Sequence, residues 1–542
     1  MKIIPFERNS GQRLAADYYH QFSKVSEFYE YNPWDGDSWA IRAEALGHPR
    51  SLTANRTELV HSLIRYNDKV NNAAEAFQAL EQLKNENTLV VVGGQQAGLF
   101  TGPLLVIYKA ITIIQAAKHA AEKLGRAVVP VFWIAGEDHD IDEVNHTYVH
   151  AHNEAVKIKL SPAEGEPRTS ISRLTVKHWE DVLQQLDKSL MDTEFKAPIM
   201  DQLTLIAGQS STLSEFFARI MASLFGRHGL ILLDSDDPGI RKLEGAMFEQ
   251  LLEQNELISE AFLNESSKLV SAGYQPQVET SPLSANLFVF GEDGERRLLQ
   301  RSSSGFTDKR GEQEYSLGEL QEMAWSRPGS LSNNVITRPL MQEFLLPVLA
   351  SVLGPGEIAY WGQLRQVFGA VGMQMPILLP RKEHTLVEGT VQKYIDKYEL
   401  TLEEAFDQWE EKKEEWLRSQ DELCLEERFK LAKEQFAEIY KPILQAVAKI
   451  NPGMEKLGQT NAAKIVEQID FLQARSIEAN KSQYEAALRQ WDRIRNTLFP
   501  LGKPQERVYN LYSYVNKYGH SWLEELVAQP LQLRPLHSIV YL

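Results

Sequence analysis

The sequence predicts an α/β protein: a doubly wound core interrupted by insertions, followed by an α-helical coiled-coil domain. Three observations predict it. A β-branched run at residues 88–96 and a second at 127–135 flank one amphipathic helical stretch, the pattern of a βαβ unit with a right-handed crossover. Short apolar runs at 229–234, 357–361 and 375–379 each lie near a helical segment, as further strands of one parallel sheet would. From about 385 to 499 the chain turns into long, charged helical sequence, which reads as an antiparallel coiled-coil hairpin or a small bundle.

Residues 1–87 form an N-terminal helical segment of the core, with Leu59, Leu63, Tyr66, Val70, Ala73, Ala74 and Phe77 at helical steps. The run at 88–96 then closes on Gly93 and Gly94, which suits a buried parallel strand ending in a tight loop. Pro103 fits the first turn of a helix, and Leu104, Ile107, Tyr108, Ile111 and Ile114 carry its apolar face on toward Gly125. The strand at 127–135 runs into an acidic loop beginning at Gly136. The core continues to residue 384, with insertions expected at about 145–215 and 260–330, the second containing a Gly-Glu-Asp-Gly turn at 291–294. In the coiled-coil domain, Phe429, Ala432, Phe436, Ile439, Ile443 and Val447 alternate three- and four-residue steps before a break at Asn451-Pro-Gly453. Residues 500–542 are expected to pack back on the core.

Composition narrows the function. The 542 residues are 43% hydrophobic and 24% charged, as in ordinary globular proteins. Lys and Arg number 57 against 74 Asp and Glu, a net charge of −17, so neither nucleic acid nor an anionic membrane is an expected partner. Cys424 is the only cysteine, which excludes a disulfide framework and multi-cysteine metal sites and fits a reducing cytoplasm. The N-terminus does not read as a signal peptide. The longest apolar stretches fall short of the roughly 20 residues needed to cross a bilayer. The acidic cluster at 403–427 reads as a solvated helix face.

Ligands of open α/β sheets sit beyond the carboxyl ends of the strands, and two loops fall there. The loop from Gly93 to Gly102 is glycine-rich and opens a helix, so backbone amides and the helix N-terminus could meet an anion. It matches neither GxGxxG nor the P-loop, and a turn that merely packs helix on sheet is the alternative. The second loop gathers Glu137, Asp138, His139, Asp140, Asp142, Glu143 and His146. His139 between Asp138 and Asp140 suits a general acid/base, its pKa raised and its tautomer fixed by a neighbouring carboxylate. A divalent cation held by the cluster, or a solvated acidic turn with one helix cap, are the other readings. H-E-x-x-H is absent.

Three smaller patches add candidates. Residues 332–339 offer amide and guanidinium donors, with Arg338 suited to a bidentate carboxylate contact. Residues 354–361 place Tyr360 and Trp361 near the end of an expected strand. Asp234-Ser-Asp-Asp-Pro238 reads as a helix cap.

Five stretches together resemble the bacillithiol synthase family, the cysteine ligases of bacillithiol biosynthesis. They are Val92-Gly-Gly-Gln-Gln-Ala-Gly-Leu-Phe-Thr-Gly-Pro103, Phe132-Trp-Ile-Ala-Gly-Glu-Asp-His-Asp-Ile-Asp-Glu143, Asn333-Asn-Val-Ile-Thr-Arg-Pro-Leu-Met-Gln-Glu343, Gly354-Pro-Gly-Glu-Ile-Ala-Tyr-Trp361 and Pro504-Gln-Glu-Arg507. The resemblance runs in order from about residue 88 to 520. It implies a Rossmann-like core with connecting-peptide insertions, a coiled coil that forms a homodimer, and a last pathway step joining L-cysteine to glucosaminyl-malate. The fold it implies is related to class I aminoacyl-tRNA synthetases, although neither HIGH nor KMSKS occurs. On this reading Glu137, Asp138, His139 and Asp140 are catalytic, and Gln95, Gln96, Thr101, Gly102, Asn334, Arg338, Tyr360 and Trp361 bind substrate. The resemblance also implies a nucleotide, ATP or ADP, near the coiled coil, with His384, Thr385, Leu386, Arg493 and Tyr509 as its contacts. No metal is assigned. The competing classes are a non-catalytic nucleotide-binding scaffold and a metal-dependent hydrolase built on residues 137–146.

Overall fold

The structure is a computed structural model describing residues 1–542 except 9–10, 50–51, 162–167, 421–423, 483 and 535. Its described residues form two compact units, Met1–Leu386 with Lys503–Leu542, and Val387–Gly502.

The centre of the first unit is a parallel five-stranded sheet of β1 (Leu89–Gln95), β2 (Val128–Ile134), β3 (Ile231–Asp234), β4 (Val348–Leu353) and β5 (Ile377–Pro380). These strands are apolar on both faces because helices cover both, so they read as continuous hydrophobic runs. Their order across the sheet is β5-β4-β1-β2-β3, and Leu89 pairs with Val128 and Val92 with Ser351. The order of strand addition therefore reverses between β1 and β4, which run parallel, and that gap is the topological switch point. Helix α1 (Leu104–Leu124) crosses from β1 to β2 and ends on Gly125 in the left-handed region (φ 61°). It is long and apolar enough to cross a membrane, yet 78% of its apolar window is buried inside the protein.

One expected strand is a helix. Residues 357–361 belong to α2 (Pro355–Trp361), and the strand of that region is β4, just upstream. Proline at the first helical position and Glu357, whose Oε2 accepts the Gly354 N–H at 2.7 Å, start a helix there. The strand β4 is hidden in the sequence because it continues an apolar run out of the preceding helix, Arg338–Leu345.

Residues within the two expected insertions make local structure of their own. A hairpin pairs His146–Ala151 with Glu154–Lys159. A five-stranded antiparallel sheet orders Glu314–Tyr315, Gly305–Asp308, Arg296–Ser302, Ser284–Phe290 and Leu331–Asn333, and the turn at 291–294 joins its longest two strands. The N-terminal segment also carries a strand that its helical periodicity does not reveal. Lys2–Phe6 pairs antiparallel with His537–Tyr541, which neighbours Glu383–Val387, so the chain's two ends are stitched together.

The second unit is helical. Its longest elements are α3 (Leu425–Ala448) and α4 (Pro452–Ser482). Lys433 pairs with Asp470 at 2.8 Å, and Tyr440 bonds Asn461, so one number falls as the other rises and the helices run antiparallel. The break falls at Asn451, whose Oδ1 caps Met454 N–H at 3.0 Å. Leu431, Ile439, Ile443, Ile450, Leu457, Phe471 and Leu472 are exposed along this hairpin.

Candidate active site

A cavity of about 670 Å³ opens over the carboxyl ends of β1, β2 and β4, at the switch point. Its floor includes Gly93, Gly94, Trp133 and Ser351, α2 contributes Glu357, Tyr360 and Trp361, and the antiparallel sheet contributes Phe288, Arg296 and Asn333.

The acidic loop leaves β2 through Gly136. A Cβ at that position would lie 2.0 Å from Ser172 Oγ and 2.1 Å from Asp234 Oδ1, so only glycine fits. Glu137 follows, 3% exposed, with Oε2 accepting the Asn333 N–H at 3.2 Å and facing Arg241 at 3.4 Å. Burial pushes its carboxyl up, against the pull of Arg241, Arg296 and Arg338. Asp138 accepts Gln96 Nε2 at 2.7 Å and faces Arg296 at 3.4 Å. Burial raises its carboxyl too, but Gln96, Arg296 and His139 outweigh it, and the net shift is downward. Asp138 is thus an ionised carboxylate.

His139 departs from the sequence expectation. Its pKa is lowered, first by burial and then by Arg296, with Asp138 only partly opposing them. Arg296 Nη1 lies 3.0 Å from Nδ1, whereas the nearest Asp138 oxygen is 3.6 Å away. A guanidinium can only donate, so Nδ1 accepts and the neutral ring carries its proton on Nε2. The tautomer is fixed by a cation rather than by a carboxylate. Arg296 is itself held by Ser332 Oγ at 2.9 Å, by the Asn333 carbonyl at 2.5 Å and by the face of Phe288 at 3.8 Å. Asp140 is exposed and lies outside the cavity lining. Among the described residues, no three His, Cys, Asp or Glu side chains converge on a metal position.

Lys109, absent from the sequence candidates, braces the other side. It is 1% exposed on α1, and its ammonium donates to Gly94 O at 2.8 Å, Gln95 Oε1 at 3.0 Å and Glu357 Oε2 at 2.6 Å. Burial lowers its pKa while Glu357 supports the charge. The signal in the sequence is one lysine in the otherwise apolar stretch Leu104–Ala110. Arg241 and Arg296 lie far from the loop in sequence and left no comparable sign.

The remaining candidates divide. Gln95, Gln96, Asn334, Arg338, Tyr360 and Trp361 all line the cavity. Burial opposes the Arg338 charge, and Tyr360 and Glu137 more than restore it. The Asn334 side chain is engaged in the fold: its Oδ1 accepts Ile336 N–H at 2.8 Å and Thr337 N–H at 3.1 Å, and its amide reaches Asn286. Thr101 and Gly102 are buried outside the lining, clamped where Asn510 Nδ2 donates to Phe100 O and Gly102 O, both at 2.7 Å. That clamp holds Phe100 and Thr101 at φ 52° and 76°. The Leu104 N–H meets Tyr509 O at 2.9 Å, so this helix start is engaged by the chain itself rather than open to an anion. Asp237 caps the helix after β3 as expected, while Asp236 instead takes two bonds from Arg173, each 2.7 Å.

The expected nucleotide contacts fall in both units, with Arg493 in the helical one. In the core, Tyr509 is buried and stacked on His150 at 4.9 Å. Thr385 Oγ1 is 2.9 Å from His537 Nε2, and both backbone groups of Leu386 bond the Gln505 amide at 2.8 Å. His384 is edge-on to Tyr108 and keeps Nδ1 without a partner among the described residues. Another cavity of about 670 Å³ shares the start of α2 and is lined by Tyr19, Arg381 and Glu506, the last two joined by bonds of 2.9 and 2.7 Å.

Fold and site together define a Rossmann-like α/β enzyme whose crevice presents a carboxylate, an imidazole and guanidinium groups, with a separate coiled-coil unit. The family model described as bacillithiol biosynthesis BshC, N-terminal Rossmann-like domain, matches residues 1–382, and that for the BshC C-terminal coiled-coil domain matches residues 384–542. The chain belongs to this BshC family of bacillithiol biosynthesis. It is similar to proteins named "Putative cysteine ligase BshC" from Geobacillus sp. (strain WCH70), 37% identical over 538 residues, and Geobacillus thermodenitrificans, 38% over 540. A relative of the same name from Bacillus cytotoxicus is 36% identical over 536 residues, and each of the three alignments covers 98% of both chains.

If Arg296 holds His139 neutral, Arg296→Ala removes the repelling cation and leaves Asp138 in place, so the His139 pKa rises. Histidine-resolved NMR titration of the full chain reads this directly. An unchanged or lower value contradicts the assignment.

Proposed function

We propose that this chain joins the carboxyl group of L-cysteine to the free amine of glucosaminyl-malate, forming bacillithiol, and that the switch-point cavity is where it does so. The observation that carries this reading is the Asp138, His139 and Arg296 constellation over the carboxyl ends of the strands, in a member of the BshC family.

Amide formation needs a neutral amine and a carbonyl carbon with a leaving group. Asp138, kept ionised, accepts a hydrogen bond from the amine and takes its proton as the nitrogen attacks. The carbonyl π pair moves to oxygen, where donors stabilise it; Arg338 and the Nε2–H of His139 supply them. With the C–N bond formed, the pair on oxygen returns to restore the carbonyl, and the C–O bond to the leaving group breaks, its electron pair departing on that group. A nucleoside triphosphate would supply that leaving group by activating the cysteine carboxyl. A thiol substrate fits the reducing cytoplasm. The exposed apolar residues of the α3–α4 hairpin support pairing with a second copy of the chain.

In a bacillithiol-producing host whose chromosomal gene is replaced, Asp138→Asn or His139→Ala lowers the thiol by about 100-fold or more, the scale of a lost acid–base group. Glucosaminyl-malate accumulates, while the variant protein keeps its level and melting temperature. Full thiol from the double variant contradicts the reading. Ile439→Lys with Ile443→Lys is expected to give monomers by sedimentation equilibrium, and an unchanged mass rules out pairing through this face.

A further inference from the structure

The cavity holds a set of polar groups that the ligation chemistry leaves unused. Asn333 is 2% exposed, and its backbone is fixed by Glu137 and Arg296, yet neither Oδ1 nor Nδ2 has a partner among the described residues. Ser351 Oγ and Trp133 Nε1 are in the same state, in residues 2% and 1% exposed, and all three residues line the cavity. Buried polar groups are almost always paired, so unpaired ones gathered around one cavity mark groups held ready for a ligand.

Their placement is coherent. Ser351 lies beside Val92 in register, and Trp133 beside Gly94. Side chains two apart on a strand share a face, so the hydroxyl and the indole stand on one face of the sheet, on either side of β1. Between them Gly94 presents no side chain, and a Cβ there would come 2.6 Å from Trp133 O.

Among the buried groups the chemistry left over is neutral and two-way, the unpaired carboxylates of the lining, Glu143 and Glu279, being exposed. Asp138, Glu137 and Glu357 already face internal cations. A carboxylate ligand would leave Asn333 Oδ1 facing an acceptor. An ammonium would leave Nδ2 and the Trp133 N–H facing donors. A pair of adjacent hydroxyls satisfies all of them, each able to donate to one group and accept from another, and the aromatic walls of Trp133, Tyr360 and Trp361 suit the C–H faces of a ring.

We propose that Asn333, Ser351 and Trp133 form a subsite that reads the hydroxyls of a pyranose ring, with Asn333 as its specificity-determining residue. The proposal rests on the ligase reading for the identity of that sugar, which is the glucosaminyl part of the amine substrate.

Titration calorimetry of the full chain with glucosaminyl-malate and, separately, with L-cysteine tests it. Asn333→Ala and Ser351→Ala each weaken glucosaminyl-malate about tenfold or more, the scale of one lost hydrogen bond, and leave L-cysteine affinity unchanged. Melting curves check folding, and Ser351→Ala decides the matter if Asn333→Ala is unstable. Wild-type affinity in both variants, an equal loss for L-cysteine, or no binding of glucosaminyl-malate to the unaltered chain overturns the subsite. A chain that binds the sugar through these residues but proves dispensable for the thiol in a deletion strain keeps the subsite and sinks the ligase reading.

Discussion

A charge taken out of water has to be paired where it lies, and the crevice of this protein is assembled around that constraint. Lys109 spends its three ammonium donors on the end of β1, on Gln95 and on Glu357 of α2. It therefore ties the two sides of the switch point together. Arg241 does the same for Glu137, bringing the segment after β3 against the acidic loop. Arg296 reaches in from the antiparallel sheet to Asp138 and His139. Removing one partner of such a buried pair typically costs about 3–5 kcal/mol, because the other is left uncompensated.

That arrangement also sets the chemistry. An acidic loop read by itself suggests a histidine made more basic by its carboxylate neighbours. Burial, and after it the guanidinium of Arg296, reverses the sign: His139 is held neutral, while Gln96 and Arg296 keep Asp138 ionised. The site thus separates its roles, with an acceptor in Asp138 and hydrogen-bond donors in His139 and Arg338. The surplus of donors suits a reaction in which negative charge develops on a carbonyl oxygen.

Much of this was legible in the sequence, for local reasons. The strands β1 and β2 and helix α1 are announced by β-branched runs, a change of period and terminal glycines. The acidic loop stands out because folding has little use for so many carboxylates after a buried strand. What was hidden depends on tertiary partners. The strand β4 merges into an apolar run, and the helical start of α2 is marked only by Pro355 and Glu357 ahead of apolar residues that also suit a strand. Arg296 and Arg241 become part of the site only when distant segments meet. Asn333 and Asn334 are indistinguishable as neighbours in sequence, yet the turn consumes the side chain of Asn334 and leaves that of Asn333 facing the cavity.

As proposed, the substrate binds in the switch-point cavity between β1 and β4. The most direct measurement is a crystal structure of the full chain with glucosaminyl-malate bound. Binding there puts density for the ligand over Gly94, its amine within hydrogen-bond distance of Asp138 and its ring against Asn333. Density in the neighbouring cavity beside Arg381 and Glu506, with the switch-point cavity empty, would contradict it.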